Sequence, residues 1–182
     1  GKGLPLKKKL NRGEKLYIVE LDPPFDTDIS KVMNGAAVLK DAGADLLTLA
    51  DSPMARTRMD SGKLAAKVQR EIGISVMPHI CCRDKNVIAM RSGILGDYMN
   101  DLRHFLIITG DPVGRESKGA VTPVFDFNSI RFMEYVSQMN EEVFAEEPVL
   151  YGGALNYHGA NPDAICRRVR QKMEKGCCMF LK

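Results

Sequence analysis

The 182-residue chain has no tryptophan, only three histidines, and no apolar run approaching the ~18 residues of a membrane span. It has no excess of charge of one sign either, with 26 Lys and Arg against 23 Asp and Glu, a net +3. That balance excludes the electrostatic footprint of a nucleic-acid or anionic-membrane binder. The basic start, Gly1 to Lys9, is not followed by an apolar stretch, so it is no signal peptide. Residues 1–14 read instead as a linker or terminal extension. A disulfide framework is missing too. The five cysteines, at 81, 82, 166, 177 and 178, are odd in number, and neighbours on a strand point to opposite faces. Reduced, mostly buried cysteines in a cytoplasmic protein are expected. With 45% hydrophobic residues, a chain of this length can bury a core as one domain without disulfides or a structural metal.

What is present is a repeat. Short apolar runs recur at Leu16–Leu21, Leu46–Leu49, Ile74–Met77, Phe105–Thr109, Val149–Tyr151 and Cys178–Leu181. Most are apolar on successive residues, as in strands covered on both faces. Their starts are mostly about 30 residues apart, the length of a strand–helix unit. Between them lie helical stripes. Asp28 can cap one carrying Ile29, Val32, Met33, Ala36 and Ala37, and Asp60 or Ser61 one carrying Leu64, Ala65, Val68 and Ile72. Asn161-Pro162 opens a third, with Ile165, Val169 and Met173 on one side. Gly43, Gly73 and Gly176 each stop a helix before a buried strand. The pattern is that of a parallel α/β protein.

Two folds use such units, the doubly wound sheet and the (β/α)8 barrel. The first strand runs into Leu21-Asp22-Pro23-Pro24, not a glycine-rich phosphate turn, and the glycines at 110, 114 and 119 match neither dinucleotide nor P-loop spacing. The expectation is therefore an incomplete (β/α)8 TIM barrel over residues 15–182, with about six strands, from a longer chain. The gap after the fourth strand is about 14 residues longer than the others. It is filled by polar, glycine-rich sequence from Gly110 to Gly119, as functional loops often are.

Barrel chemistry sits at the C-terminal strand ends. Those positions hold Glu20, Asp51, His79, Thr109-Gly110-Asp111 and Asn156-Tyr157-His158, the floor of a polar pocket. Glu20, among apolar neighbours and before a double proline, reads as a partly desolvated carboxyl with a raised pKa, suited to general acid work. The competing reading is an exposed strand-end glutamate without a role. Asp111 could accept hydrogen bonds from a heterocycle, or simply form an Asp-Pro turn. His79 reads more readily as a satisfied core histidine. Lys175-Gly176-Cys177-Cys178 is similar to the adjacent-cysteine zinc sites of thiol methyltransferases, with Cys81-Cys82 as a further ligand source. Cys177 and Cys178 begin their strand, however, opposite the polar end, so no metal site is assigned.

Four ordered segments resemble the methylenetetrahydrofolate reductase family. They are Val19-Glu20-Leu21-Asp22-Pro23-Pro24, Pro78-His79-Ile80-Cys81-Cys82, Ile107-Ile108-Thr109-Gly110-Asp111-Pro112, and the run from Lys172 to Leu181. The resemblance implies FAD-dependent reduction of 5,10-methylenetetrahydrofolate to 5-methyltetrahydrofolate, with NAD(P)H as electron donor. In that reading Glu20 and Asp111 are catalytic and meet the folate. Glu20 is the acid that helps open the five-membered ring, and the resulting iminium accepts hydride from reduced FAD. His79, Thr109, Gly110, Asp111, Asp126, Tyr157 and Lys172 fall where the family contacts FAD.

The chain departs from the family at Leu49-Ala50-Asp51-Ser52, where many members have threonine and an aromatic. Gly152-Gly153-Ala154-Leu155-Asn156 is similar to a branch in which a homocysteine methyltransferase domain precedes the reductase, with Lys7 to Arg12 as its linker. The family's folate-binding glutamine follows the sixth strand, beyond this sequence. A homo-oligomer is expected. The alternatives are a non-catalytic barrel module attached to the methyltransferase, and a zinc-dependent thiol methyltransferase.

Overall fold

The structure is a computed structural model that describes residues 8–9, 11–114, 119, 121–124, 128–154 and 179–181. Six strands are described, β1 (Ile18–Leu21), β2 (Leu46–Leu49), β3 (Val76–Cys81), β4 (His104–Ile108), β5 (Leu150–Ala154) and β6 (Met179–Leu181). All pair in parallel, and their spatial order is their chain order. A doubly wound sheet reverses its order at a switch point, whereas a barrel winds in one direction. This is six strands' worth of a (β/α)8 barrel.

The described helices are α1 (Ser30–Asp41), α2 (Ser61–Ile72), α3 (Val87–Met99) and α4 (Ser129–Glu141). Asp60 caps α2 by accepting the Lys63 N–H, and Gly73 leaves it in the left-handed conformation at φ 78°. Asp28 works one step outside the expected cap. It accepts from the Ser30 N–H and hydroxyl, while Ile29 occupies the cap position. Helices α3 and α4, capped by Asn86 and Asn128, fill strand–helix units for which no cap or stripe was assigned from the sequence. In α3 Ile88, Leu95 and Met99 are exposed while Met90 and Ile94 are buried, so apolar residues surround the helix and no stripe stands out.

Strand β3 reaches beyond the apolar run Ile74–Met77 and passes through Pro78, whose nitrogen cannot donate to a ladder. The strand continues to Cys81, with its pairing handed over at the proline: residues Val76–Pro78 pair with β2, and His79–Cys81 with β4.

Side chains alternate between two cores. The larger core lies between sheet and helices and includes Leu47, Leu49, Val76, Phe105 and Ile107 with Val32, Leu64, Ile94 and Phe132. The smaller fills the barrel interior with Leu46, Met77 and Leu106, flanked by Ile18 and Ile108. Stepping two residues along each strand from this inner set puts Glu20, Thr48, His79 and Cys81 on the interior face, toward the C-terminal rim. His104 lies on the same face at the other end.

Candidate active site at the C-terminal rim

Glu20 on β1 lies beside Thr48 in register, and Thr48 beside Met77. His79, two residues further along β3, brings its Nε2 to 3.6 Å from Glu20 Oε1. The Glu20 side chain is 58% exposed and opens into the mouth, whereas His79 is 8% exposed. Partial burial, helped by the negative charge of Asp22, holds the Glu20 carboxyl above its ordinary pKa. Burial drives His79 down to about 4, so its ring is neutral near pH 7. The two groups are therefore neighbours rather than an ion pair. Nor are they hydrogen-bonded at this distance. His79 Nε2 is a buried polar atom with no hydrogen-bond partner among the described residues. A bare core histidine is not what the sequence reading favoured, which was a satisfied one.

Asp111 follows β4 through Gly110, which has φ 100°. A Cβ on Gly110 would overlap Cys81 Sγ and stand 3.1 Å from Arg83 Cβ, so only glycine fits the turn. The Asp111 carboxylate accepts the Met54 N–H at 2.7 Å. Met54 lies in the loop after β2, where Ser52, Met54 and Ala55 all have positive φ. That loop in turn holds the exit of β1. Ser52 Oγ accepts the Arg58 N–H, the Arg58 guanidinium donates to the Pro23 carbonyl at 2.7 Å, and it stacks 3.8 Å from the Phe25 ring. The exits of β1, β2 and β4 are thus joined by hydrogen bonds.

Two expected positions face elsewhere. Thr109 is directed to the outer layer, where its Oγ1 accepts the Ser129 N–H at the start of α4. Asp51 accepts the Cys81 N–H at 2.9 Å and lines a cavity of about 50 Å3 behind the strands, with Asp60, Lys85 and Asp97. It belongs to the packing between α2, α3 and β3, not to the pocket floor expected from its strand-end position. Asp126, Tyr157 and Lys172, with Asn156 and His158, lie outside the described residues. Cys81 and Cys82 are buried free thiols, as expected, and burial pushes Cys81 up to about 11.

Sequence reasoning missed Arg83. It is 2% exposed and donates to Asp84, to the Ser52 carbonyl and to the Asp111 carbonyl. The available signal was a lone arginine directly after a buried strand, at the end of the barrel where loops carry chemistry.

The sequence model of the methylenetetrahydrofolate reductase family matches residues 5–179, nearly the whole chain. No curated protein matches the chain. Among solved structures, 2,3-dimethylmalate lyase, a PEP mutase/isocitrate lyase superfamily member, is similar in fold with a TM-score of 0.67 and 12% identity. The likeness covers 100% of this chain and 62% of that one, so the chain spans under two thirds of its neighbour's length. A phosphonopyruvate hydrolase is similar at a TM-score of 0.64 and 12% identity, over 98% of this chain and 62% of that one. At such identities the likeness is one of fold alone. No described helix is long and apolar enough to cross a membrane.

Proposed function

The chain belongs to the methylenetetrahydrofolate reductase family, and on that premise we propose that it carries out FAD-dependent reduction of 5,10-methylenetetrahydrofolate to 5-methyltetrahydrofolate. The observation that carries the reading is the Glu20–His79 pair at the barrel mouth. It combines a carboxyl with a raised pKa and a neutral imidazole whose buried Nε2 lacks a hydrogen-bond partner among the described residues. The residues fit a flavin. A planar heterocycle with polar atoms along its edge satisfies the orphaned His79 nitrogen, and the turn at Gly110 presents Asp111 without a side chain in between.

His79, the Gly110-Asp111 turn, Asp126, Tyr157 and Lys172 would hold the FAD, with Thr109 contributing only through its backbone, and the FAD would supply the hydride. Glu20, whose carboxyl holds its proton more firmly than a free glutamate because of partial burial and Asp22, delivers a proton to a nitrogen of the folate's five-membered ring as that ring opens. His79 stays uncharged and so does not compete for that proton. Asp111, fixed by the Met54 N–H, orients the folate by accepting hydrogen bonds from its heterocycle. The same reading takes residues 15–182 as the reductase barrel, NAD(P)H as the donor, a cytoplasmic homo-oligomer, and a homocysteine methyltransferase domain before it in the polypeptide. The likeness at Gly152-Gly153-Ala154 supports that last element.

The visible spectrum of the purified full-length protein tests the reading. Bound flavin that is bleached by NAD(P)H and restored by methylenetetrahydrofolate is expected. A colourless protein that takes up no added FAD contradicts it.

A further inference from the structure

We propose that Arg83 is the positioning residue of this site: its guanidinium sets where Asp111 stands by tying the loops after β2 and β4 to the end of β3. The proposal rests on the reductase reading, because placing Asp111 matters to catalysis only if that carboxylate meets the folate or flavin.

The guanidinium is enclosed, with its charge met by a bidentate contact to Asp84, both bonds at 2.7 Å. Two further bonds go to backbone carbonyls on different loops, Asp111 from Nη1 and Ser52 from Nη2, each at 3.1 Å. Arg83's own carbonyl accepts the Val124 N–H at 2.6 Å, adding the far end of the long β4 loop. The contact between Gly110 and Arg83 Cβ closes the arrangement from the other side. The loops carrying Asp111 and Met54 are thus linked twice, directly through the Asp111 carboxylate on the Met54 N–H and indirectly through the guanidinium on the Asp111 and Ser52 carbonyls.

The linked loop is one that needs holding. Ser52, Met54 and Ala55 have φ of 41°, 59° and 56°. Left-handed conformations in non-glycine residues are strained and persist only where surrounding contacts impose them. The imposing contacts here are the Asp111 carboxylate on the Met54 N–H and Arg83 on the Ser52 carbonyl. Among the described residues, none of the side-chain bonds of Arg83 goes to a helix or to the sheet ladder, so losing them loosens the rim and leaves the barrel wall standing. Lysine cannot replace it, because a point donor does not span a carboxylate and two carbonyls in one plane.

The test uses the full-length protein with Arg83→Lys, Asp111→Asn and the double variant. Asp84→Asn, which removes the anchor at an exposed residue, serves as a second route if Arg83→Lys does not fold. Amide exchange is measured on the flavin-free proteins, and the Kd for 5-methyltetrahydrofolate on the FAD-loaded ones. Arg83→Lys is expected to speed exchange at residues 52–58 and 110–114 while β2 to β4 stay protected. It should weaken folate binding about tenfold, as should Asp111→Asn, with the double variant little worse than either single one, since both act through one carboxylate. Unchanged exchange in both loops, or losses that multiply in the double variant, overturns the assignment to Arg83 alone. A wild-type protein that binds neither FAD nor folate overturns the reductase reading, and the proposal with it.

Discussion

His79 Nε2 and Glu20 Oε1 stand 3.6 Å apart across the mouth of the barrel, and near neutral pH no charge attraction joins them. Burial keeps the imidazole neutral down to about pH 4. The carboxyl is shifted the other way, raised by its own partial burial and by Asp22.

That asymmetry predicts a pH profile. If Glu20 is the acid, kcat/KM for folate reduction is highest where Glu20 is protonated and falls as pH rises through its pKa. Asp22→Asn removes a negative charge that raises this pKa, so the falling limb should move to lower pH. Rate profiles of wild type and variant check it. A limb that stays in place detaches it from Glu20.

Gly110→Ala should cost at least about 2 kcal/mol of stability, from a strained φ and an overlap with Cys81 Sγ beside Arg83 Cβ. Urea melts of the two proteins measure the loss. A change under about 0.5 kcal/mol, the size of an ordinary surface substitution, contradicts the packing described for the Asp111 turn.

Stability should also report Asp97. Burial, with Asp60 close by, pushes its pKa up to about 7, against the opposing pull of Lys85 and Lys63. A carboxyl whose folded pKa is raised favours the folded state fully below its unfolded pKa near 4. That stability is lost as pH climbs through about 7. His79 and His104, both lowered to about 4, act in the opposite sense, adding stability as pH rises toward about 6.5. Comparing wild type with Asp97→Asn isolates the carboxyl. The variant should gain on wild type steadily from pH 4 to 8, by on the order of 2 kcal/mol at the upper end. A difference that does not change with pH places Asp97 in contact with water.

The repeat of apolar runs carried the fold, because strands covered on both sides leave an unmistakable local pattern, and Gly43 and Gly73 marked where helices yield to strands. Helix α3 was illegible because its outer face is apolar too. The far end of strand β3 was less legible, because the apolar run stops at Met77 and the sequence does not tell that pairing passes from β2 to β4 at Pro78. In the site, Glu20 and Asp111 could be placed at the rim from strand position alone. Asp51 sits at an equivalent sequence position but turns behind the strands to bind the Cys81 N–H. Arg83 stayed hidden because its partners are backbone carbonyls at Ser52 and Asp111, about thirty residues to either side.

The most direct test of the account is a stopped-flow half-reaction on the full-length protein, with Glu20→Gln beside wild type. In both, the bound flavin should be reduced by NAD(P)H at similar rates, because Glu20 takes no part in that step. Mixing the reduced proteins with methylenetetrahydrofolate should reoxidise the flavin in wild type and leave it reduced in Glu20→Gln, where no proton is delivered to the opening ring. Reoxidation of the variant at the wild-type rate would contradict the central claim.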